Sequence, residues 1–326
     1  MEVARKAYST DVRKLEKLYL LNTTMKSIKY ILLSLLGVVL LLAIWGLVEP
    51  YVIDTEEEVA EIPNLPDSWE GQRVAVIADW QIGMWLGNTN TIRRIVDQLI
   101  RERPALVLIG GDFIYHADKG NDNEIGKAVE LVRPLVAAGI PTYGVLGNHD
   151  YAMDAKTAPP NEQIAGELYA ALEQAGVDML QNEAVSLVSP GNQQPIGENS
   201  LYLVGIGSRW ANKDNPAIAL SQVPQTAPRL VLMHHPDSFE KFPANTAPLS
   251  VAGHTHGGQV RLPFLPEWSW MTFAREDRVH TDGWIEASYG QSGNRLYVNR
   301  GIGFSIAPIR INCPPEVTLF TLQPAR

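Results

Sequence analysis

The chain has very little cysteine: Cys313 is the only one among 326 residues. A single thiol excludes a disulfide framework within the chain, and it also excludes a metal cluster built from cysteine ligands. Cys313 precedes two prolines near the C-terminus, and a small buried apolar side chain is a more ordinary interpretation of it than a nucleophile. Internal repeats and low-complexity tracts are also missing from the sequence.

Positive charge is in deficit, because 27 Lys and Arg face 36 Asp and Glu and give a formal net charge of -9. No basic surplus is left to neutralise phosphates, so we expect no nucleic-acid partner. Hydrophobic residues make up 45% of the chain, which is enough for a sizeable core. The length is large for one domain but within the range of α/β folds.

Residues 1–29 are basic, and residues 8–25 fit either a short amphipathic helix or a solvated tail. Tyr30–Val48 contains no charged residue and approaches the roughly 20 residues that cross a bilayer. We predict a transmembrane helix there. The apolar run exceeds the roughly 7–15 residues of a signal-peptide core, and no small-x-small cleavage site follows it. A retained anchor is therefore the better interpretation.

The charge on either side of this segment predicts its orientation. Lys and Arg lie before it, whereas residues 49–72 are acidic, contain three prolines and lack Lys and Arg. The positive-inside rule then places the N-terminus in the cytoplasm and the rest of the chain outside it. We expect residues 49–72 to be a linker and residues 73–326 to form one domain.

From Arg73 onward, short apolar runs alternate with stretches of helical periodicity, as in α/β folds. The predicted helices are Thr89–Arg103, Asn123–Ala138 and Asn161–Ala175. The predicted strands are Arg73–Ala78, Ala105–Ile109, Pro141–Leu146, Leu201–Ile206, Arg229–Met233, Leu249–Val251, Leu296–Asn299 and Val317–Leu322.

Most of these strands end in a residue that can bind a metal. In open α/β sheets, sites form outside the carboxyl ends of strands. Carboxylates, an amide and imidazoles without thiolates suit Mn, Fe or Zn, and Mg is an alternative. Two ions about 3.5–4 Å apart can hold a phosphate and generate the hydroxide that attacks phosphorus. The residues in question are Asp79, Asp112, Asn148, His149, His234, His254 and His256.

These motifs resemble the ordered signature of the calcineurin-like metallophosphoesterases. The signature is Asp-x-His, Gly-Asp, Gly-Asn-His-Asp/Glu, a later His, and Gly-His-x-His. Here it reads Asp79-Trp80-Gln81, Gly111-Asp112, Gly147-Asn148-His149-Asp150, His234 and Gly253-His254-Thr255-His256. Residues 299–317 are similar to the membrane-associated YkuE and YaeI type of the family. The resemblance implies a four-layer α/β/β/α sandwich of two mixed sheets flanked by helices, with a dinuclear metal centre.

The resemblance also implies a role for each site residue. Asp112 would bridge two metals, with Asp79 and His256 on the first ion. The second ion would have Asn148, His234 and His254. His149 would act on the leaving group and would be oriented by Asp150. His235, beside the ligand His234, is expected to be a structural neighbour.

One position departs from the signature, because Gln81 stands where the family has a histidine. A glutamine carbonyl is a weaker ligand than imidazole for Mn, Fe or Zn. The first site would then bind metal weakly, use Gln81 or water, or prefer a harder ion. We favour an active enzyme with an altered first site over a silent metal-binding interaction module.

The substrate is less determined by the sequence. The aromatic-rich segment 263–293 fits either an acyl-chain contact at a membrane surface or the closure of the core. The leading hypothesis is a membrane-anchored phosphodiesterase or phosphatase that acts on a lipid-linked or envelope phosphoester. The alternative within the same class is a UDP-diacylglucosamine-type lipid pyrophosphohydrolase, but such nucleotide substrates lie on the cytoplasmic side, against the predicted topology.

Overall fold

The computed structural model describes residues 2–115, 123–189, 200–269 and 280–325. The chain divides into two compact units, Met1–Gly46 and Leu47–Arg326. Helix α1 (Glu2–Val48) runs without a break from the basic segment through the apolar one. Neither alternative expected for residues 8–25, a short separate helix or a solvated tail, is therefore correct. The stretch Tyr19–Tyr51, which joins the C-terminal part of α1 to the short turn after it, is long and apolar enough to cross a membrane. A signal sequence near an N-terminus has the same properties.

The first sheet of the larger unit is mixed and has six strands. In spatial order they are β1 (Asp54–Ile62), β14 (Glu316–Pro324), β2 (Arg73–Ile77), β3 (Leu106–Ile109), β4 (Thr142–Gly144) and β5 (Asp178–Met179). Strands β2 to β5 are parallel to one another, and β14 is antiparallel to β2 but parallel to β1.

The second sheet also has six strands and is mixed. In spatial order they are β12 (Gly283–Trp284), β13 (Leu296–Val298), β9 (Ser250–Ala252), β8 (Arg229–Leu232), β7 (Tyr202–Gly205) and β6 (Glu183–Ser186). The strands from β13 to β7 are parallel. A separate hairpin consists of β10 (Arg261–Leu262) and β11 (Leu265–Ser269).

Four helices follow α1 in the described part of the chain. They are α2 (Thr89–Glu102), α3 (Glu124–Ala137), α4 (Glu162–Gln174) and the short α5 (Pro216–Leu220). Asparagines begin three of them by accepting a hydrogen bond from a backbone N–H three residues later, which satisfies a group that the first helical turn leaves open.

Strand β2 shows how the layers form, because its side chains point alternately to the two faces of the sheet. Ala75 and Ile77 pack in one hydrophobic cluster with α2, α3 and α4. Val74 and Val76 pack in another, together with Leu230 and other side chains of the second sheet. One core therefore lies between sheet and helices, and another joins the two sheets.

The segment expected to be a linker differs from that expectation. Within residues 49–72, β1 pairs with β14 along its full length, from Asp54 opposite Glu316 to Ile62 opposite Pro324. Its residues alternate between exposed and partly buried, because it lies at the edge of the sheet. Edge strands commonly carry charged side chains, so an acidic composition is compatible with a strand here, and the prediction of a linker is wrong for Asp54–Ile62.

The aromatic segment 263–293 is described only in part, since residues 270–279 lie outside the described ranges. Trp284 belongs to the core: its ring meets Tyr297 at 5.4 Å and Phe320 at 5.7 Å, both edge-on. For Trp284, closure of the core is the correct alternative.

Candidate metal centre

The predicted site residues lie on the loops that follow β2, β3, β4, β8 and β9. Five of them have left-handed backbone conformations, with φ between 50° and 73°. Non-glycine residues seldom adopt such angles, and strained backbone concentrates at functional sites. The five residues are Asp79, Gln81, Asp112, His254 and His256.

Four donor atoms converge around Asn148. Its Oδ1 lies 3.2 Å from Nε2 of His234 and 3.0 Å from Nδ1 of His254. Oδ2 of Asp112 lies 3.3 Å from the same His234 nitrogen. Asn148 donates through Nδ2 to the carbonyl of Met153 at 2.8 Å, which holds its oxygen toward the histidines. These residues fit a divalent ion.

The contact made by Nδ1 of His234 determines which of its nitrogens can bind a metal. Nδ1 lies 2.7 Å from the Gly110 carbonyl, which can only accept, so this nitrogen carries the proton. In the neutral imidazole that a metal binds, the lone pair then lies on Nε2 and points toward Asp112 and Asn148. Metal-binding histidines are commonly oriented in this way by a carbonyl or carboxylate.

The loops approach one another closely because glycines line them. A Cβ on Gly147 would collide with the carboxylate and backbone nitrogen of Asp112, and one on Gly253 would press on Asp79. The glycines of the two motifs are therefore needed for the carboxylates to reach the centre.

Asp79, His256 and Gln81 form a second group of side chains beside Asp112. Oδ1 of Asp79 is 4.0 Å from Nε2 of His256, and the Asp79 carboxylate accepts from the backbone N–H of His254 at 3.0 and 3.1 Å. Nε2 of Gln81 donates to Oδ2 of Asp112 at 2.9 Å and lies 3.4 Å from Nε2 of His256.

The orientation of the Gln81 amide tests whether this half of the centre fits a metal. The amide NH₂ cannot act as a ligand, whereas the carbonyl Oε1 is buried without a hydrogen-bond partner in the described part of the chain. Rotating the amide by half a turn would bring Oε1 toward Asp112, which is favourable only beside a cation. Asp79, Asp112 and His256 fit an ion here, and Gln81 fits one in that rotated form alone.

His235 lies closer to the centre than a structural neighbour requires. Its ligand atom is within 4.8 Å of those of His234 and His254, and the three rings contact one another at 4.3 to 5.1 Å. Nδ1 of His235 accepts from the backbone N–H of Arg209 at 3.3 Å. The ligand atoms of Asp79, Asp112 and His234 also lie within 4.8 Å of one another.

Burial and close charges shift the ionisation of the centre in opposite directions. Burial, helped by Asp112, raises the pKa of Asp79 to about 7. Burial would lower the pKa of His234, but the Asp112 carboxylate outweighs it and raises that pKa to about 9. Burial and Arg310 lower the pKa of His256 to about 3. For Asp112, the charges of His234 and His149 outweigh burial and hold the pKa below its ordinary range.

His149 lies at the wall of a cleft of about 260 Å³ beside these donors. Its ring stacks on Tyr115 with centroids 4.7 Å apart, and its Nδ1 lies 3.5 Å from Oδ1 of Asp154. Trp210 and Ile306 also line the cleft, and the Trp210 ring meets His254 edge-on at 4.9 Å.

The structure corrects the role expected for Asp150. Its carboxylate accepts hydrogen bonds from backbone N–H groups instead of facing the His149 imidazole. The donors are Asp112 and Gly147, both at 2.8 Å, and Ile114 at 3.2 Å. Burial and the nearby Asp112 raise the pKa of Asp150 to about 7. Asp150 fastens the loops after β3 and β4 together, and Asp154 is the carboxylate beside His149.

Sequence reasoning missed Asp154, Tyr115 and Arg310. Asp154 and Tyr115 each lie within a few residues of a motif, which is the only signal that the sequence offers for them. Arg310 is fully buried and donates to the carbonyls of Gly303, Arg300 and Cys313 at 2.5 to 3.0 Å. It holds the loop that packs behind His256.

Buried carboxylates, an amide and histidines at the ends of parallel strands form the donor set of a metal-dependent hydrolase. A family model described as calcineurin-like phosphoesterase matches residues 72–258, which is more than half of the chain. The chain therefore belongs to the calcineurin-like phosphoesterase family and is a metallophosphoesterase.

Three curated relatives extend the likeness. Phosphodiesterase YaeI of Escherichia coli is 34% identical over 68% of this chain and 72% of its own length. An uncharacterized metallophosphoesterase of Bacillus subtilis, YkuE, is 25% identical over 84% of this chain and 87% of its own. The UDP-2,3-diacylglucosamine pyrophosphatase LpxG of Chlamydia trachomatis is 23% identical over 78% of this chain and 86% of its own length.

Proposed function

We propose that this protein is a membrane-anchored phosphodiesterase or phosphatase that works with two divalent metal ions. The observation that carries the proposal is the convergence of four side chains: Asn148 contacts both His234 and His254, and His234 also contacts Asp112, all at 3.0 to 3.3 Å. Carboxylate, amide and imidazole groups gathered in this way are the ligands that Mn, Fe and Zn accept in proteins. Asp79 lies within 4.8 Å of Asp112 and 4.0 Å from His256.

The residues divide between the two ions around a shared carboxylate. Asp112 contacts both halves of the centre, so it is assigned as the bridge. Asp79 and His256 would hold the first ion, with Gln81 as a weak oxygen ligand. Asn148, His234 and His254 would hold the second ion. His235 lies beside them and is a further candidate ligand. When bound, the ions would polarise the phosphoryl oxygens and lower the pKa of an attacking water.

His149 is assigned to the leaving group. It lines the cleft next to Asp112, and its backbone N–H donates to Oδ1 of Asp112 at 2.9 Å. With Nδ1 turned to Asp154, the other ring nitrogen is available to give a proton to the departing oxygen. Tyr115 fixes the plane of the ring by stacking on it.

The apolar part of α1 supports the membrane anchor. Its side chains from Tyr30 to Val48 are almost all exposed, as befits a surface that meets lipid. The basic residues before it and the acidic ones after it favour a cytoplasmic N-terminus and an extracytoplasmic domain. Signal-peptide cleavage is tested by the mass of the protein recovered from membranes.

A second candidate substrate rests on one comparison. The name of LpxG specifies UDP-2,3-diacylglucosamine as that relative's substrate. Such a nucleotide-linked lipid lies in the cytoplasmic leaflet, so it requires the opposite orientation of the domain. Paired reporters fused to the C-terminus, alkaline phosphatase and green fluorescent protein, distinguish the two candidates by the side of the membrane on which each is active.

The activity itself is tested with bis-p-nitrophenyl phosphate. The full chain in mild detergent is stripped of metal and titrated separately with Mn, Fe, Zn and Mg. We expect hydrolysis that rises with at least one ion and is lost in Asp112→Asn. A folded chain that binds these ions yet hydrolyses neither this ester nor phospholipid phosphoesters would contradict the proposal and favour the interaction module.

A further inference from the structure

Three exposed apolar side chains lie at the tips of left-handed turns. Leu86 has φ 61°, Phe264 φ 68° and Ile306 φ 66°. Their exposed fractions are 57%, 98% and 70%. Each position combines an unfavourable backbone conformation with a large apolar side chain in water. A residue such as Asn or Gly would relieve both costs, so the three tips point to a contact made outside the described chain.

Two of the tips lie around the first residues of the larger unit. The Tyr51 hydroxyl donates to the Leu86 carbonyl at 3.2 Å. The Glu49 carboxylate accepts from the backbone N–H groups of Asn312 and Cys313, and Nδ2 of Asn312 donates to the Leu262 carbonyl at 3.2 Å. Leu86 and the turn that carries Phe264 are thus tied to Glu49 and Tyr51.

The third tip is held in the same region by a separate set of contacts. The Gln259 side chain donates to the carbonyls of Ser305 and Ala307, both at 3.0 Å, and so clamps the turn at Ile306. The next residues of this loop run beside β10, where Arg261 donates its backbone N–H to the Ile311 carbonyl at 2.9 Å.

A small buried cluster completes the connection between the first and third tips. Met84, Tyr115 and Phe304 pack together. Met84 precedes Trp85 and Leu86 by one and two residues, and Phe304 precedes Ile306 by two. The Tyr115 hydroxyl accepts from the backbone N–H of Ile306 at 3.3 Å. The three tips therefore belong to one region of the surface.

We propose that this region, here called the apolar rim, docks on the lipid bilayer in which the chain is anchored. The rim is formed by Trp85, Leu86, Leu262, Phe264, Leu265 and Ile306, each exposed. Continuity of the chain favours lipid. The rim is tied by hydrogen bonds to Glu49 and Tyr51, and these residues directly follow the apolar helix α1. Aromatic and aliphatic side chains at such a place suit the membrane interface.

Docking of the rim would determine which phosphoesters reach the metal centre. Ile306 belongs to the rim and also lines the cleft with His149 and Asp112, so the mouth of the cleft would lie at the lipid surface. The substrate class that follows is a phosphoester carried on a membrane lipid. This step rests on the proposed function, whereas docking does not require catalysis.

Docking is tested with the full chain reconstituted in phosphatidylcholine vesicles. A cysteine that replaces Phe264 is labelled with an environment-sensitive fluorophore, and Leu86→Cys is labelled in a second sample. The matched control is Ile218→Cys, because Ile218 is also exposed but lies in α5, outside the rim. Native Cys313 is buried, and the unmutated chain measures its background.

We expect emission at residues 86 and 264 to shift to the blue and to be quenched at least twofold more by spin-labelled phosphatidylcholine than emission at residue 218. Equal, weak quenching at all three residues would overturn docking. A blue shift without quenching by the lipid label would also overturn it, since a second copy or another protein would then cover the rim. Resistance of the protein to alkaline carbonate extraction checks the anchor separately.

Discussion

The amide nitrogen of Gln81 lies 2.9 Å from Oδ2 of Asp112, where it donates a hydrogen bond to the carboxylate assigned as the bridge. An amide donor thus meets a group that would otherwise face a metal ion. This contact explains what the change from histidine to glutamine at residue 81 does. The hydrogen bond stabilises the first half of the centre without a metal, and an ion that binds there must displace the amide.

We expect Gln81→His to tighten the first metal. Imidazole offers a lone pair to the ion, whereas the amide must rotate before its oxygen can. The number of Mn ions per chain at limiting free Mn should rise from near one toward two, as measured by elemental analysis after gel filtration. Asp79→Ala in the Gln81→His background should return it to near one. An unchanged number in Gln81→His would contradict a weak first site.

We expect Asp112→Asn to lose most of both metals, because the variant keeps the size of the side chain but removes the shared negative charge. Titration calorimetry with Mn should show at least a tenfold loss of affinity at each site. Asp154→Asn is the matched control, since Asp154 lies beside His149 instead of between the ligands, and it should bind metal normally. Retention of two ions by Asp112→Asn would show that another residue is the bridge.

We expect His149→Ala to lower turnover by roughly 10²- to 10⁴-fold, the usual contribution of a general acid, with metal content unchanged. The loss should be smaller for p-nitrophenyl esters than for alkyl esters, because p-nitrophenolate leaves without a proton. Turnover of a series of diesters with different leaving groups measures this. An equal loss across the series would exclude proton transfer to the leaving group.

We expect Asp150→Ala to destabilise the domain by more than 3 kcal/mol. Each buried N–H left without its acceptor costs about 1–3 kcal/mol, and Asp150 accepts from three. Chemical denaturation followed by circular dichroism measures the loss. Asp154→Ala should change the free energy of unfolding by less than about 1 kcal/mol because Asp154 is exposed. Equal free energies of unfolding for the two variants would contradict this structural role and favour Asp150 as the residue that orients His149.

We expect Arg310→Met to destabilise the domain by about 3–5 kcal/mol, since it leaves several buried carbonyls unsatisfied. Arg295→Met is the control: Arg295 is exposed and lies 4.0 Å over the Trp284 ring, a contact worth about 0.5–1 kcal/mol. Thermal unfolding of the two variants should differ accordingly. Equal melting temperatures would show that the Arg310 contacts do not stabilise the loop.

The sequence predicts the inner strands well but not the edge strands. Residues 73–77 and 106–109 lie in the middle of the first sheet, with apolar side chains on both faces, so each reads as a short apolar run. β1 has one face in water and reads as an acidic linker. β12 has only two residues, and pairing with β13 rather than its own composition makes it a strand.

The same distinction holds in the metal centre. Ordered motifs identify the residues that the structure gathers there, because glycines and strand ends position them. The motif does not fix the direction of each side chain. His149 and Asp150 lie in one 3-10 turn, where consecutive side chains diverge by about 120°. The carboxylate that follows His149 in sequence therefore faces backbone, and Asp154 faces the imidazole.

The pairing of β1 with β14 has a consequence for biogenesis. Among the strands that the structure describes, β1 is synthesised first and β14 last. Because β14 also separates β1 from β2, the first sheet cannot close until β14 has been synthesised. Contacts of such high sequence separation slow folding. In a chain that crosses a membrane during synthesis, the first sheet would stay open until β14 has been made, and truncations that remove β14 would leave two strand edges exposed to aggregation.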